Sequence, residues 1–232
     1  MSTDAKPMLL VFVVFAAIVI IAVVANYLAA RKRRQDWLRF AASMGWNYSA
    51  DDIFGLPDLP HPTFQEGHSR RAYNIVCGTY RNREFKCFDY QYTVGSGKNS
   101  HTYILTCLLL TAPLPFVPLL IRPESFGDKL GHLVGLEDID FESDEFNRKF
   151  FVKCQDKKFA YDVLHQRAME FLLHHKPLVI EGALMTVLFH YYGETRLFLP
   201  TAVMALLDDG CNFLDLLPAY LVQDRMGRSP AQ

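Results

Sequence analysis

The feature that most constrains this chain is an apolar run from Met8 to Ala30, which contains no charged residue and only one polar residue, Asn26. As a helix the run reaches roughly 35 Å, enough to cross a hydrocarbon core of about 30 Å. It exceeds the apolar stretch of a cleaved signal peptide, about 7 to 15 residues, and Lys6 ahead of it is offset by Asp4. The run therefore predicts a transmembrane helix preceded by a short tail, residues 1–7.

A cluster of four cations follows the run directly: Arg31, Lys32, Arg33 and Arg34. Because positive charge concentrates on the cytoplasmic side of a span, the cluster predicts an N-terminus outside and a long C-terminal part in the cytoplasm. The same cations are predicted to face anionic lipid headgroups. The alternative is a cluster that acts only as a stop-transfer signal.

Composition and charge describe one domain after the span. The whole chain is 50% apolar, and without the span the apolar share is roughly 46%, the usual globular range. The formal charge of the chain is −1, and removing the four clustered cations and the neutral Lys6/Asp4 pair leaves −5 for residues 35–232. Since nucleic-acid binding requires a basic surface, this acidic remainder excludes it as the expected function.

Neither cysteine nor histidine spacing indicates a metal or cofactor site. The five cysteines include no CxxC pair, so they predict neither a zinc site nor a disulfide framework. His165, His174 and His175 point in different directions from one helix, and the other histidines show no ligand spacing. We therefore expect no metal and no cofactor.

The remaining pattern predicts an α+β fold, an antiparallel sheet packed with helices on one face. Strands are predicted at 72–80, 84–94, 101–111, 150–154, 178–181 and 184–192, with a short further strand ending at Ile121. Helices are predicted at 124–134, 157–175 and from Pro200 to the residues before Pro218. The expected organisation is a basic juxtamembrane helix and Pro-rich linker at 31–62, a domain at 63–222 and a tail at 223–232. Trp37 is expected near the headgroups.

The segment from Tyr103 to Ile121 is uncharged, as a second membrane span would be. Each of its prolines, Pro113, Pro115 and Pro118, would remove a helical hydrogen bond. A strand, an apolar Pro-rich loop and a short strand fit better, with a Pro-kinked membrane segment as the alternative.

Two polar segments resemble ligand sites but favour structural roles. The Gly95–Lys98 segment lacks the spacing of a P-loop and predicts a hairpin turn, with an anion-binding nest as the alternative. The acidic segment from Glu137 to Glu145 lacks the EF-hand pattern and predicts a solvated sheet edge, with a cation site as the alternative.

Asp89 is the most informative single residue, because it lies between Phe88 and Tyr90 in a predicted strand. A buried carboxylate must be hydrogen-bonded or paired. The partners considered for this structural role are Tyr90, Tyr92, Lys86 and Arg122. In the catalytic alternative, Asp89 is a general base that forms a polar site with Lys98 or Arg122. No nucleophile elbow or dinucleotide-binding glycine pattern accompanies it.

Four separated motifs resemble an uncharacterised bacterial family of single-pass membrane-anchored proteins. They are Phe88-Asp89-Tyr90-Gln91-Tyr92, Gly95-Ser96-Gly97-Lys98, Ile121-Arg122-Pro123-Glu124 and Asp138-Ile139-Asp140-Phe141, and the likeness extends over about 64–217. The resemblance implies a location in the bacterial inner membrane. It implies no activity, because the family is a domain of unknown function.

These observations lead to a membrane-tethered cytoplasmic interaction or scaffold domain as the main hypothesis. Its expected partners are the bilayer and a protein at the cytoplasmic face, met by the sheet or by the Pro113–Pro118 loop. The first alternative is an enzyme acting on a membrane-associated substrate through Asp89 with Lys98 or Arg122. The second is anionic headgroup binding through Arg31–Arg34.

Overall fold

In a computed structural model, the described residues are 5–124, 136–193 and 201–227, with side chains described from Leu10 onward. They form the following elements in chain order: α1 Ala5–Met44, β1 Asn47–Asp51, α2 Pro62–Gln65, β2 His68–Tyr80, β3 Arg83–Val94, β4 His101–Pro123, β5 Glu137–Asp138, α3 Asp144–Lys149, β6 Phe150–Cys154, α4 Lys157–Val163, α5 Gln166–His174, β7 Leu178–Tyr191, α6 Thr201–Asp215 and α7 Ala219–Gly227. Short 3₁₀ turns lie at Leu56–Asp58 and Gly97–Asn99.

The α+β fold is confirmed: a long apolar N-terminal helix is followed by an antiparallel sheet and further helices. Within the described residues the sheet has seven strands in the order β1-β2-β3-β4-β6-β5, and β7 pairs with β4. All of these pairings are antiparallel.

Helix α1 has two halves with different surroundings. From Leu10 to Leu28 its apolar side chains are exposed, and this part is long and apolar enough to cross a membrane. Trp37, Phe40 and Ala41 are buried in the core, because spacings of three and four residues place them on one side of the helix. Trp37 therefore contacts the sheet rather than the headgroup level predicted for it.

The sheet buries side chains on both faces. On the helical face, the second half of α1 packs with α4 and α6 against alternate sheet residues such as Phe85 and Cys87. On the opposite face, Leu56 and Phe64 cover Phe88 and Tyr90. These two come from residues 52–67, which we call the strap. The predicted linker thus supplies an edge strand, β1, and the cover of one sheet face.

The predicted Pro-rich loop is instead part of one continuous strand, β4. Its prolines lie where the pairing with β7 shifts register, between Thr111 and Phe116 and between Phe116 and Leu119. Proline is tolerated at such positions because no ladder hydrogen bond is required from its nitrogen. Ala112, Leu114 and Phe116 are buried, so the expectation of an exposed apolar loop is wrong.

Other boundaries also differ. The predicted helix over 157–175 is divided into α4 and α5 at Leu164 and His165, and His165 Nε2 lies 2.9 Å from the carbonyl oxygen of Leu216. Strand β7 is continuous, with Leu184 in a left-handed conformation at an irregularity. The predicted helix at 124–134 falls almost entirely outside the described residues. The edge role predicted for the acidic segment holds for Glu137–Asp138, since β5 pairs only with β6 among the described strands, whereas Asp144 and Glu145 begin α3.

Candidate functional site

The candidate site begins with Asp89, whose side chain is fully buried near the middle of β3. It faces the helical side of the sheet together with Phe85 and Cys87. Arg33 of α1 binds it in a bidentate manner: Nε donates to Oδ2 at 2.7 Å and Nη2 donates to Oδ1 at 2.5 Å. The helix that carries the apolar span is therefore joined to the sheet by an ion pair.

The carboxylate of Asp89 accepts further hydrogen bonds from the sheet. Asn74 Nδ2 donates to Oδ2 at 3.0 Å, and Thr106 Oγ1 donates to Oδ1 at 3.2 Å. Tyr48 of β1 in turn donates to Oδ1 of Asn74 at 2.9 Å. We call Arg33, Tyr48, Asn74, Asp89 and Thr106 the junction network, because it joins α1 to four strands.

A backbone irregularity places Asn74 in this network. The β2–β3 pairing shifts register between Tyr73 and Val76, and Asn74 has a φ of 53°. Asparagine tolerates this left-handed conformation better than most residues. The bulge turns its amide towards Asp89, so sequence reasoning, which assumed a regular strand, missed Asn74.

The expected partners of Asp89 were wrong. Successive strand residues point to opposite faces, so three of the four partners considered, Lys86, Tyr90 and Tyr92, belong to the other face of β3. The fourth, Arg122, lies near the far end of β4, with its guanidinium 4.9 Å from the ring centre of Phe151. The actual cation comes from α1, which is distant in sequence.

Arg33 corrects the prediction that the whole basic cluster faces lipid headgroups. Its side chain is only 15% exposed, whereas Arg31, Lys32 and Arg34 are exposed. Arg33 and Trp37 are one turn apart, so Arg33 lies on the side of α1 that packs on the sheet. Burial alone would lower the pKa of Arg33, but the hydrogen bonds and negative charge of Asp89 raise it overall.

The structure does not bring the alternative polar site together. Asp89 is buried in mid-sheet, and Lys98 is exposed in the turn between β3 and β4. Arg122 lies near the opposite end of β4 from that turn. The catalytic hypothesis therefore lacks the geometry that it requires.

A second buried polar group, Glu181, lies under the strap and was missed. Its carboxylate oxygens accept from the backbone nitrogen of Thr63 at 3.1 and 3.0 Å, and Thr63 Oγ1 donates to Oε1 at 2.6 Å. His61 Nε2 lies 3.0 Å from Thr186 Oγ1, which adds a second bond between strap and sheet. An acidic residue among the apolar residues of a strand indicates a buried carboxylate, and this pattern could have identified Glu181 as it identified Asp89.

Burial shifts the protonation of this cluster. It raises the pKa of Glu181 to about 7, although the hydrogen bonds from Thr63 oppose the shift. It lowers the pKa of His61 and of His190 to about 4. Near pH 6 the folded protein therefore favours a protonated Glu181 and neutral forms of the two histidines.

We expect Glu181→Gln to change the pH dependence of stability. The pKa of Glu181 in the folded protein lies above the ordinary value of 4.5. Its contribution to folding stability is therefore fully present below about pH 4.5 and is lost as pH rises through 7. The two histidines act in the opposite sense, since their contribution is present above about pH 6.5 and is lost as pH falls towards 4. Between pH 4.5 and 8, the free energy of unfolding of the variant should rise by on the order of 3 kcal/mol relative to that of the wild type.

Denaturant unfolding of the two proteins across this pH range measures the effect. The exposed Glu142→Gln serves as the control and should leave the difference flat. A flat difference for Glu181→Gln as well would show that its carboxyl group does not titrate between the two pH values.

An open groove of about 460 Å³ lies apart from both clusters. It is formed by the end of β4, α3 and the end of α5, and it is lined by Pro123, Glu124, Arg148, Lys149, Leu172 and His175, among others. No residue of the junction network or of the Glu181 cluster lines it, so neither buried group opens into this groove.

Comparison with known proteins gives a fold but no family. No family model matches the chain, and no curated protein matches it. Its fold is similar to the crystal structure of the mycobacterial trehalose monomycolate transport factor A, TtfA, with a TM-score of 0.55 and 13% sequence identity. The match covers 78% of this chain and 90% of the other. At this identity the likeness concerns the fold alone.

Proposed function

We propose that this protein is a membrane-tethered scaffold or accessory domain that binds a protein partner at the cytoplasmic face of a bacterial inner membrane. The observation that carries the proposal is the continuity of α1. One helix provides an exposed apolar stretch and, at its other end, the buried Trp37 and the ion pair of Arg33 with Asp89. The domain is thereby packed directly on the helix that carries the span.

The fold likeness supports an accessory role. TtfA is named a transport factor, and its structure shares this architecture over most of its length. A non-enzymatic role also suits the buried position of Asp89 within a saturated hydrogen-bond network. The orientation with the N-terminus outside rests on the cations at 31–34.

The irregularity in β7 is the surface that we propose for partner contact. Leu184 and Met185 are adjacent, and the two residues are 63% and 41% exposed. Among the described strands β7 pairs only with β4. Exposed apolar residues beside an unpaired strand edge are typical of a protein-binding site.

Site-specific photo-crosslinking in cells tests this function. A crosslinker at Met185 of the full-length chain should yield one defined adduct, whereas a crosslinker at Met226, which is more exposed and lies on α7, should not. Adding Leu184→Asn should abolish the Met185 adduct. Failure to obtain any adduct, or identical adducts from both positions, would overturn the proposal.

A further inference from the structure

We propose that the end of the sheet formed by the start of β2 and the turn between β3 and β4 binds the anionic headgroups of the bilayer that α1 enters. We call Arg70, Arg71 and Lys98 the basic rim. The inference rests on the membrane tether of the proposed function and is independent of the protein partner. It adds a second lipid contact, distant in sequence from the cations at 31–34.

The path of α1 over the sheet places the rim near the membrane. The ring of Trp46, just past the end of α1, lies 4.6 Å from that of Phe85, whereas Arg33 bonds Asp89. Moving along α1 towards its N-terminus therefore follows β3 from Phe85 through Asp89 towards Val94. The exposed apolar part of α1 and the β3–β4 turn thus lie towards the same end of the sheet.

Charge is polarised along this direction. The strand segments that form this end, residues 67–72 and 90–104, contain no Asp or Glu, and the exposed acid nearest to it in β1 is Asp51, which pairs with Tyr73. The acid that precedes them, Glu66, is half-buried and hydrogen-bonded with Tyr92. At the other end of β2 and β3, Asp208 and Asp215 of α6 pair with the cations of the β2–β3 turn. A domain of net negative charge therefore presents a cationic end towards the bilayer.

Local contacts hold the rim cations in place while leaving them exposed. Arg71 Nη2 donates to Gln91 Oε1 at 3.0 Å, and its guanidinium lies 4.9 Å from the ring centre of Tyr73. Arg70 donates to the carbonyl oxygen of Phe64. These named partners are uncharged, so the positive charge is available to phosphate groups.

An exposed tyrosine next to the rim also suits this surface. Tyr103 is 37% exposed and stacks on Tyr92 with ring centres 5.2 Å apart. Tyrosine favours the membrane interface because its ring is apolar and its hydroxyl is polar. Each rim cation near an anionic surface should favour the docked orientation by about fivefold.

The test uses full-length protein reconstituted in vesicles of phosphatidylcholine with about one third phosphatidylglycerol. A fluorophore is attached at Asn99→Cys in the β3–β4 turn or, as a matched control, at Asn82→Cys in the β2–β3 turn. Both positions are exposed. Quenching by a quencher attached to lipid headgroups reports the distance of the fluorophore from the bilayer. The protein without an introduced cysteine, treated with the same fluorophore, gives the background from labelling of native cysteines.

We expect strong quenching at position 99 and weak quenching at position 82. The triple variant Arg70→Gln, Arg71→Gln, Lys98→Gln, or pure phosphatidylcholine, should lower quenching at position 99 by about threefold or more. Equal quenching at the two positions, or no response to the variant and to lipid charge, would overturn the inference. The Met185 crosslink is measured on the same triple variant. A crosslink that is retained while position 99 shows no rim-dependent quenching would contradict the lipid contact alone and leave the proposed partner contact intact.

Discussion

A chain that begins at Thr63 should fail to fold, whereas one that begins at Arg31 should fold. The shorter chain lacks Trp37 and Phe40, whose loss as side chains alone costs about 3–5 kcal/mol each. It also lacks β1 and Leu56, and it leaves Asp89 without Arg33. Together these losses are comparable to the whole stability of about 5–15 kcal/mol that a typical domain possesses.

Far- and near-ultraviolet circular dichroism of the two truncated chains measures this difference. The chain from Arg31 should show cooperative thermal unfolding, and the chain from Thr63 should show none. A chain beginning at Asp36 is the intermediate control, since it retains Trp37 but loses Arg33. Cooperative unfolding of the chain from Thr63 would mean that α1 is dispensable to the domain.

Arg33→Ala should destabilise the domain by about 3–5 kcal/mol, because it leaves the carboxylate of Asp89 buried without its cation. Asn74 and Thr106 still donate to that carboxylate, but neither carries a charge. The exposed Arg31→Ala provides a matched control from the same cluster, with an expected change within about 0.5 kcal/mol.

The double variant Arg33→Met, Asp89→Leu distinguishes two causes of the destabilisation by Arg33→Ala: the unpaired buried charge of Asp89 and the lost packing of the Arg33 side chain. Replacing both members of a buried pair by apolar groups is often neutral, so the double variant should recover most of the stability that Arg33→Ala loses. Denaturant unfolding of the chain beginning at Arg31 measures all four proteins. Equal destabilisation by Arg31→Ala and Arg33→Ala would show that the ion pair is not maintained.

Local patterns predicted several elements well. β3 and β6 lie where strands were predicted at 84–94 and 150–154, and the β3–β4 connection is the hairpin turn expected from Gly95–Lys98. The antiparallel sheet and the helices also follow from periodicity, because side-chain alternation and helical spacing depend mainly on nearby residues. The burial of Asp89 was inferred from its aromatic neighbours in the same strand.

The partners of Asp89 could not be predicted in this way. Arg33 reaches it through the crossing of α1 over the sheet, and Asn74 reaches it through a bulge. Both depend on contacts between distant parts of the chain. The three prolines of β4 led to the wrong prediction of a loop for a related reason. Proline cannot take part in a regular hydrogen-bond ladder, but the register shifts between β4 and β7 accommodate it within the strand.

The sequence by itself determined a long uncharged apolar run, the cations that follow it and the acidic balance of the remainder, since these depend only on the order of residues. Tertiary structure alone decided that α1 continues from the apolar run into the core and that Arg33 binds Asp89 instead of facing outward. It also gathered Arg70, Arg71 and Lys98 at one end of the sheet. The physical reason is that a charge has different roles in water and in a protein interior, and only packing decides which environment each residue occupies.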